Sequence, residues 1–257
     1  FFIFMRSRNA SVGVALLVGV ATAFSTGIIV FLMIGHITKL VSLTAFPIIL
    51  MVLLKYKEKI SLIETLILIV FLHYLVLSAH VQMIFYVYMA IGIYYVFYLI
   101  HYYSKKQKDS IKQLFKSLGM FTAASLIAVA MSYDIIVQLY EYAQYSTRGA
   151  KSILEIDTPP TKQAESDFYQ YATNWSFSPG EVLTFIIPSF YGFGASTYNG
   201  PHTGNRELEI NTYFGQMPFV DVAMYMGVII FFLGLFAVYA CWREPFVRFL
   251  AILSGIS

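Results

Sequence analysis

Charge is scarce in this chain. Of its 257 residues only 12% are Asp, Glu, Lys or Arg, where an ordinary soluble domain carries about a quarter. Cysteine is nearly absent: a single Cys241 excludes an internal disulfide and leaves no cysteine-based zinc site. There is no P-loop, no GxSxG and no dinucleotide fingerprint, so nothing in the sequence supports ATP-driven or hydrolytic chemistry. No repeat of fixed period is visible. The ten-residue alternating segments of a membrane β-barrel are also missing. What is abundant is apolar: 58% hydrophobic residues and a mean hydropathy of +0.69. Apolar runs long enough for bilayer-spanning helices recur along the chain. The composition therefore predicts an all-α polytopic membrane protein.

Run lengths and breakers predict a span tail at residues 1–5, then six full spans near 11–34, 39–54, 60–79, 81–100, 117–137 and 218–241, and a further span from about 246. The second holds Pro47, which transmembrane helices tolerate where neighbours satisfy the freed carbonyl. The third and fourth form a tight helical hairpin around "SAHVQ". The organisation expected is a helix bundle over 1–137, an extracytoplasmic loop over 138–217, and further transmembrane helices over 218–257. Neither end has the design of a targeting segment, and the chain reads as an internal portion of a longer polytopic protein.

Twelve of the 17 basic residues lie in alternate connections: Arg6 and Arg8; Lys55, Lys57 and Lys59; Lys105, Lys106, Lys108, Lys112 and Lys116; Arg243 and Arg248. By the positive-inside rule these connections are cytoplasmic. The opposite side receives "GHITK" (35–39), the "SAHVQ" tip and the long 138–217 connection. That connection is net acidic and makes a poor nucleic-acid surface. Within it, "GEVLTFIIPSF" is too short to span and reads as an interfacial or re-entrant segment, followed by the flexible, aromatic "YGFGASTYNG".

Three polar clusters therefore meet on the extracytoplasmic face. His36 and Lys39 occupy the first connection, His80 and Gln82 the hairpin tip. In "YDIIVQLYEYAQYSTRG", Asp134, Gln138, Glu141, Tyr145 and Arg148 follow helical spacing and share one face if the helix continues outward. Lys39 reads either as an interfacial snorkelling lysine or as a ligand-binding cation. The two histidines read as packing residues or as site residues. Lys39 and Arg148 with neutral donors around them suit a phosphate or pyrophosphate. His36, His80, Asp134 and Glu141 admit a metal reading, with no ligand spacing to back it. Glu64 and His73 form either a proton relay or internal hydrogen-bonding partners of the bundle. Most Tyr and Phe residues serve as an interfacial belt and as helix packing. Tyr145, Phe168, Tyr169, Tyr171 and Trp175 are candidates for stacking on a sugar. The tripeptides at 9–11 and 174–176 fit the glycosylation pattern, which is common by chance.

At these clusters the chain resembles the YfhO-type bacterial membrane proteins. "GHITK" resembles their GHxxK element, "AHVQMIFYVY" their H-P-Q segment with following aromatics, and "YEYAQYSTRG" their EYxxYSxRG element. "YATNWSFSPGEVLTFIIPSFYG" and "YFGQMPFVDVAMYMGVIIFFLGLF" resemble two longer stretches, and the order agrees from about residue 3 onward. Val81 stands where the family has proline, and Met217 is inserted between Gln216 and Pro218. Neither change removes a polar group.

The resemblance implies a GT-C-like bundle and a membrane glycosyltransferase in the bacterial cytoplasmic (inner) membrane. Such an enzyme takes sugar from a polyprenyl-phosphate carrier and passes it to a saccharide, lipid or protein acceptor of the envelope at the outer face. It implies a catalytic acid ahead of residue 1 and maps His36, Lys39, His80, Gln82, Glu141, Tyr145 and Arg148 onto family motif positions. No metal or cofactor is implied beyond the polyprenyl-phosphate sugar itself. A transporter or flippase for a lipid-linked saccharide would use the same cations without catalysis, and a structural subunit would use the helices alone.

Overall fold

The computed structural model describes residues 1–143, 145, 169, 173, 174, 176–217 and 225–256. Among these residues the chain is mostly helical: α1 (Phe2–Ser7), α2 (Val12–Ala23), α3 (Thr26–Met33), α4 (Ile37–Tyr56), α5 (Leu62–Leu77), α6 (Val81–Ser104), α7 (Lys108–Met131), α8 (Tyr133–Ala143), α9 (Val228–Ala240) and α10 (Pro245–Ile256). Two short strands, β1 (Ala195–Asn199) and β2 (Glu207–Asn211), complete the regular structure. The chain divides into two compact units. One comprises residues 1–24, 31–149 and 236–257, the other 25–30 and 150–235.

Among the described residues three helices, α4, α6 and α7, are long and apolar enough to cross a membrane, and a fourth span arises if α2 and α3 count together. This number replaces the six full spans expected from run length, and each difference has a local cause. The 11–34 run breaks at Phe24, before the small polar stretch Ser25-Thr26-Gly27. The 60–79 run yields only the 16-residue α5, about 24 Å of helix at 1.5 Å per residue. The 117–137 run breaks at Ser132, whose Oγ turns back to the Ala128 carbonyl at 2.9 Å and ends α7. In the 218–241 run, Val228–Ala240 is helix and residues 225–227 are not, and 218–224 lie outside the described residues. Pro47 sits inside an uninterrupted α4, as the sequence predicts.

The helices of the first unit pack through periodic seams. Buried residues recur as Ala45, Ile49, Val52, Leu53 and Tyr56 on α4, as Leu68, Leu72 and Leu75 on α5, as Val87, Ile91, Tyr94 and Tyr98 on α6, and as Leu114, Ser117, Phe121, Ala124 and Ala128 on α7. Steps of three and four place each set on one face. The small residues on α7 let helices approach closely, which matters where lipid supplies no hydrophobic drive for helix pairing. Polar tips inside the bundle find partners: Tyr94 Oη donates to the Leu53 carbonyl at 3.0 Å, Tyr95 Oη lies 3.0 Å from Ser117 Oγ, and Tyr56 Oη lies 2.7 Å from Thr65 Oγ1.

The second unit carries an antiparallel hairpin that pairs Ala195 with Asn211 and Asn199 with Glu207. The "YGFGASTYNG" stretch expected to be irregular thus contributes a strand. "GEVLTFIIPSF" forms one 3-10 turn, Glu181–Phe185, followed by irregular backbone. Glu181 is the anchor of this region. Its buried carboxylate accepts the Tyr213 hydroxyl and the Ser178 N–H at 2.7 Å. Burial alone would raise its pKa, but the hydrogen bonds from Tyr213, Ser178 and the Gln216 backbone outweigh it and hold the carboxyl below its ordinary value.

Candidate functional site

The "GHITK" stretch is first of all a helix-to-helix joint. Gly35 adopts φ +75°, a left-handed conformation that glycine enters without steric cost. The Gly35 N–H donates to Leu32 O at 3.2 Å and the His36 N–H to Phe31 O at 2.8 Å. This pair of bonds closes the end of α3 in a Schellman motif. His36 is also the N-cap residue of α4, so one residue serves two helices. Its ring lies 6.1 Å from that of Phe31, centroid to centroid. Lys39, in the first turn of α4, folds back so that its Nζ stands 5.1 Å from the same ring. A cation at a helix N-terminus faces the positive end of the helix dipole, and the face of Phe31 offsets part of that cost. Both readings of Lys39 stay open on this geometry: a half-buried stem, with no carboxylate within ion-pair distance among the described residues.

The second connection is built on Ser78, Ala79 and His80. Ala79 takes φ 55°, and His80 caps α6 by accepting the Met83 N–H on Nδ1 at 3.4 Å. This cap fixes the proton on Nε2 whenever the ring is neutral. Gln82 turns along its own helix to donate to Tyr86 Oη at 2.8 Å.

A buried pair of hydroxyls joins the two connections. Ser42 Oγ and Ser78 Oγ lie 3.0 Å apart, so one hydroxyl donates to the other, and the one that accepts donates to a carbonyl of its own helix, Thr38 O at 3.1 Å for Ser42 or Leu75 O at 2.7 Å for Ser78. The start of α4 is thereby pinned to the end of α5. Sequence reasoning singled out neither serine. Serines within apolar runs look like ordinary helix filler, although small polar residues at helix interfaces are a recognised adhesive in membrane bundles.

The third cluster sits on α8, which begins where Ser132 breaks α7. Its residues Ile135, Gln138, Leu139, Glu141 and Tyr142, with Tyr145 beyond its end, line an open cavity of about 620 Å3 together with Ala79 of the hairpin tip. Three of the five residues expected to share a face, Gln138, Glu141 and Tyr145, thus meet the residue before His80. Asp134 does not line this cavity, and Arg148 lies outside the described residues. His36, Lys39, His80 and Gln82 do not line it either. His36 and Lys39 thus gather around Phe31, and Gln138, Glu141 and Tyr145 around the cavity, while Ser42 and Ser78 link the start of α4 to the hairpin tip.

Glu64 and His73 separate completely. Glu64 stands in the first turn of α5, its N–H on the Ser61 cap, and pairs with Lys55 at 3.3 Å. His73 Nδ1 lies 2.8 Å from Ser132 Oγ at the α7–α8 break. They are bundle hydrogen-bonding partners, which replaces the relay reading. Among the described residues no group of three or more His, Cys, Asp and Glu side chains gathers as a metal site would require. Of the residues considered for stacking on a sugar, Tyr145 and Tyr169 are exposed, whereas Phe168, Tyr171 and Trp175 lie outside the described residues.

Comparison with family models, with curated proteins and with solved structures returns no match to this chain.

Proposed function

We propose that the chain is part of a YfhO-type membrane glycosyltransferase with a GT-C-like helix bundle. In this reading it moves a sugar from a polyprenyl-phosphate carrier to an envelope acceptor at the extracytoplasmic face of a bacterial inner membrane. The observation that carries the reading is the Ser42–Ser78 bond. It ties the "GHITK" joint to the hairpin tip, beside a cavity whose polar lining is Gln138, Glu141 and Tyr145. The order of the polar motifs along the sequence supports it further.

Sugar transfer from a phosphate carrier leaves negative charge on the departing phosphate. Preorganised cations that meet this charge lower the barrier. Lys39 takes that role, held near the membrane end by its stem and free of a competing carboxylate among the described residues, and Arg148 supplies a second, forked donor. His36 or His80 assists by hydrogen bonding or proton transfer near neutral pH. Glu141 orients Arg148 or binds acceptor hydroxyls, and Tyr145 offers an exposed ring to a sugar face.

The test uses the full-length protein in membrane vesicles with a labelled polyprenyl-phosphate sugar, following label into product. Wild type should transfer, and Lys39→Ala should lower the rate about a hundredfold, the usual loss when one such charge contact is removed. Label that crosses the bilayer without entering product would replace this reading with transport of a lipid-linked saccharide.

A further inference from the structure

The opposite end of the first unit, where α4 and α6 finish, gathers basic residues from four separate parts of the chain. Lys57, the C-cap of α4, holds its Nζ 4.0 Å from the ring centroid of Tyr98 on α6. Arg8, after α1, lies over Phe246 at 5.2 Å. Arg248 lies on α10 between Phe246, whose ring Arg8 covers, and Phe249, whose ring packs against Tyr94 and Phe97 of α6, and Lys105 caps the end of α6. The acidic groups beside this cluster are Glu244, just before α10, and Glu58, the chain neighbour of Lys57. Neither comes within ion-pair distance of Arg8, Lys57 or Arg248. Positive charge therefore exceeds negative charge here at close quarters.

Two donors inside the cluster are left over. Tyr98 is only 1% exposed, yet its hydroxyl has no hydrogen-bond partner among the described residues, and neither has the buried Nε of Arg248. Buried donors are nearly always satisfied, and one that is not calls for an explanation. Both need an acceptor, and both stand among cations that repel one another. A water could accept from both but would leave the repulsion in place. A phosphate would satisfy the donors and neutralise the cations together.

We propose that Arg8, Lys57 and Arg248, with the Tyr98 hydroxyl, bind the phosphate of an anionic phospholipid headgroup. A lipid suits the surroundings better than free phosphate. Arg8 is exposed, and the helices that bring the cations also expose large apolar side chains, Phe2 and Ile3 on α1 and Leu250 and Ile252 on α10, on which acyl chains can lie. The site is separate from the cavity on α8 and does not depend on the glycosyltransferase reading.

Native mass spectrometry of the full-length protein with phosphatidylglycerol or with phosphatidylcholine of the same acyl chains tests this. Phosphatidylglycerol should stay bound in clear preference, and Lys57→Gln and Arg248→Gln should each weaken it about fivefold, the weight of one basic charge near a lipid surface. Lys57→Arg should restore binding. Tyr98→Phe, which keeps the ring and deletes only the hydroxyl, should weaken it by a smaller factor without disturbing the fold. Exposed Lys112→Gln should change nothing. Equal retention of the two lipids would overturn the proposal, as would a loss in Lys112→Gln matching that in Lys57→Gln. Displacement of the lipid by millimolar inorganic phosphate would overturn the choice of a lipid as occupant.

Discussion

Helix α4 carries a lysine over an aromatic ring at each end, and the two ends treat that lysine differently. Lys57 closes the C-terminus, 4.0 Å from the centroid of the fully packed Tyr98. Lys39 stands at the N-terminus, 5.1 Å from the centroid of the half-buried Phe31. The helix dipole favours the first cation and opposes the second. Packing has the reverse bias. Burial, with Arg8 nearby, pushes the Lys57 ammonium down to about 8, whereas Lys39 stands on the joint between α3 and α4. Around Lys57 the aromatic rings Tyr94, Tyr98, Phe97 and Phe249 stack into one cluster. Around Lys39 the structure is a pair of helix turns held by backbone bonds and two serines. A densely packed end resists change, and an end built from joints and an open cavity can accommodate a substrate.

The largest effect expected from this contrast is on stability. Phe249→Ala empties a site with no exposed surface and should cost about 3 kcal/mol or more. Phe31→Ala, at the half-buried joint, should cost clearly less. Reversible unfolding in mixed micelles measures both, and equal losses would break the comparison.

Next in size is the serine pair. Ser42→Ala leaves the buried Ser78 hydroxyl without its cross-helix neighbour and should cost about 1 kcal/mol. The double variant should cost less than the sum of the two single ones, because the second change removes a group that has already lost its cross-helix partner. Strict additivity would mean that the two serines do not couple the connections.

A pH effect follows from Lys57. Its folded pKa, about 8, lies below the ordinary lysine value of 10.5, so between these values the unfolded chain binds more protons than the folded one. Stability must then rise with pH across that window, as the cost of burying the charge is relieved. Thermal midpoints between pH 7.5 and 10 should rise more steeply in wild type than in Lys57→Met. Bound phosphatidylglycerol should flatten the wild-type slope, since an anion at the site favours the charged form. The smallest stability effect expected is that of Lys39→Met, below about 0.5 kcal/mol, since an exposed cation–ring contact contributes little.

The sequence made the helical, membrane-spanning character legible because composition and run length report it directly. It also marked "GHITK" and "SAHVQ" as connections, since Gly35 and the polar breaks at 78–80 interrupt apolar runs. Span count was less legible. The breaks at Phe24 and Ser132 arise from local geometry that a hydropathy window averages away, and α5 stops after 16 residues although its run continues. The β-hairpin was hidden because Ala195–Asn199 lacks the alternating apolar pattern of a half-buried strand. Of the five residues that helical spacing places on one face, Gln138, Glu141 and Tyr145 line one cavity, although α8 itself ends at Ala143. The serine link between the start of α4 and the hairpin tip is a tertiary contact 36 residues apart in sequence, which no local pattern encodes. The basic residues were legible as a sidedness signal, but their convergence with Tyr98 appears only once α1, α4, α6 and α10 are packed.

The division of labour between the two ends of α4 is tested most directly through the proposed reaction, by the sugar-transfer rate from a labelled polyprenyl-phosphate sugar, measured side by side for wild type, Lys39→Ala and Lys57→Gln. The account predicts a loss of about a hundredfold in Lys39→Ala, with Lys57→Gln close to wild type in vesicles of neutral lipid. A rate that survives loss of Lys39, or one that falls equally in both variants, would contradict it.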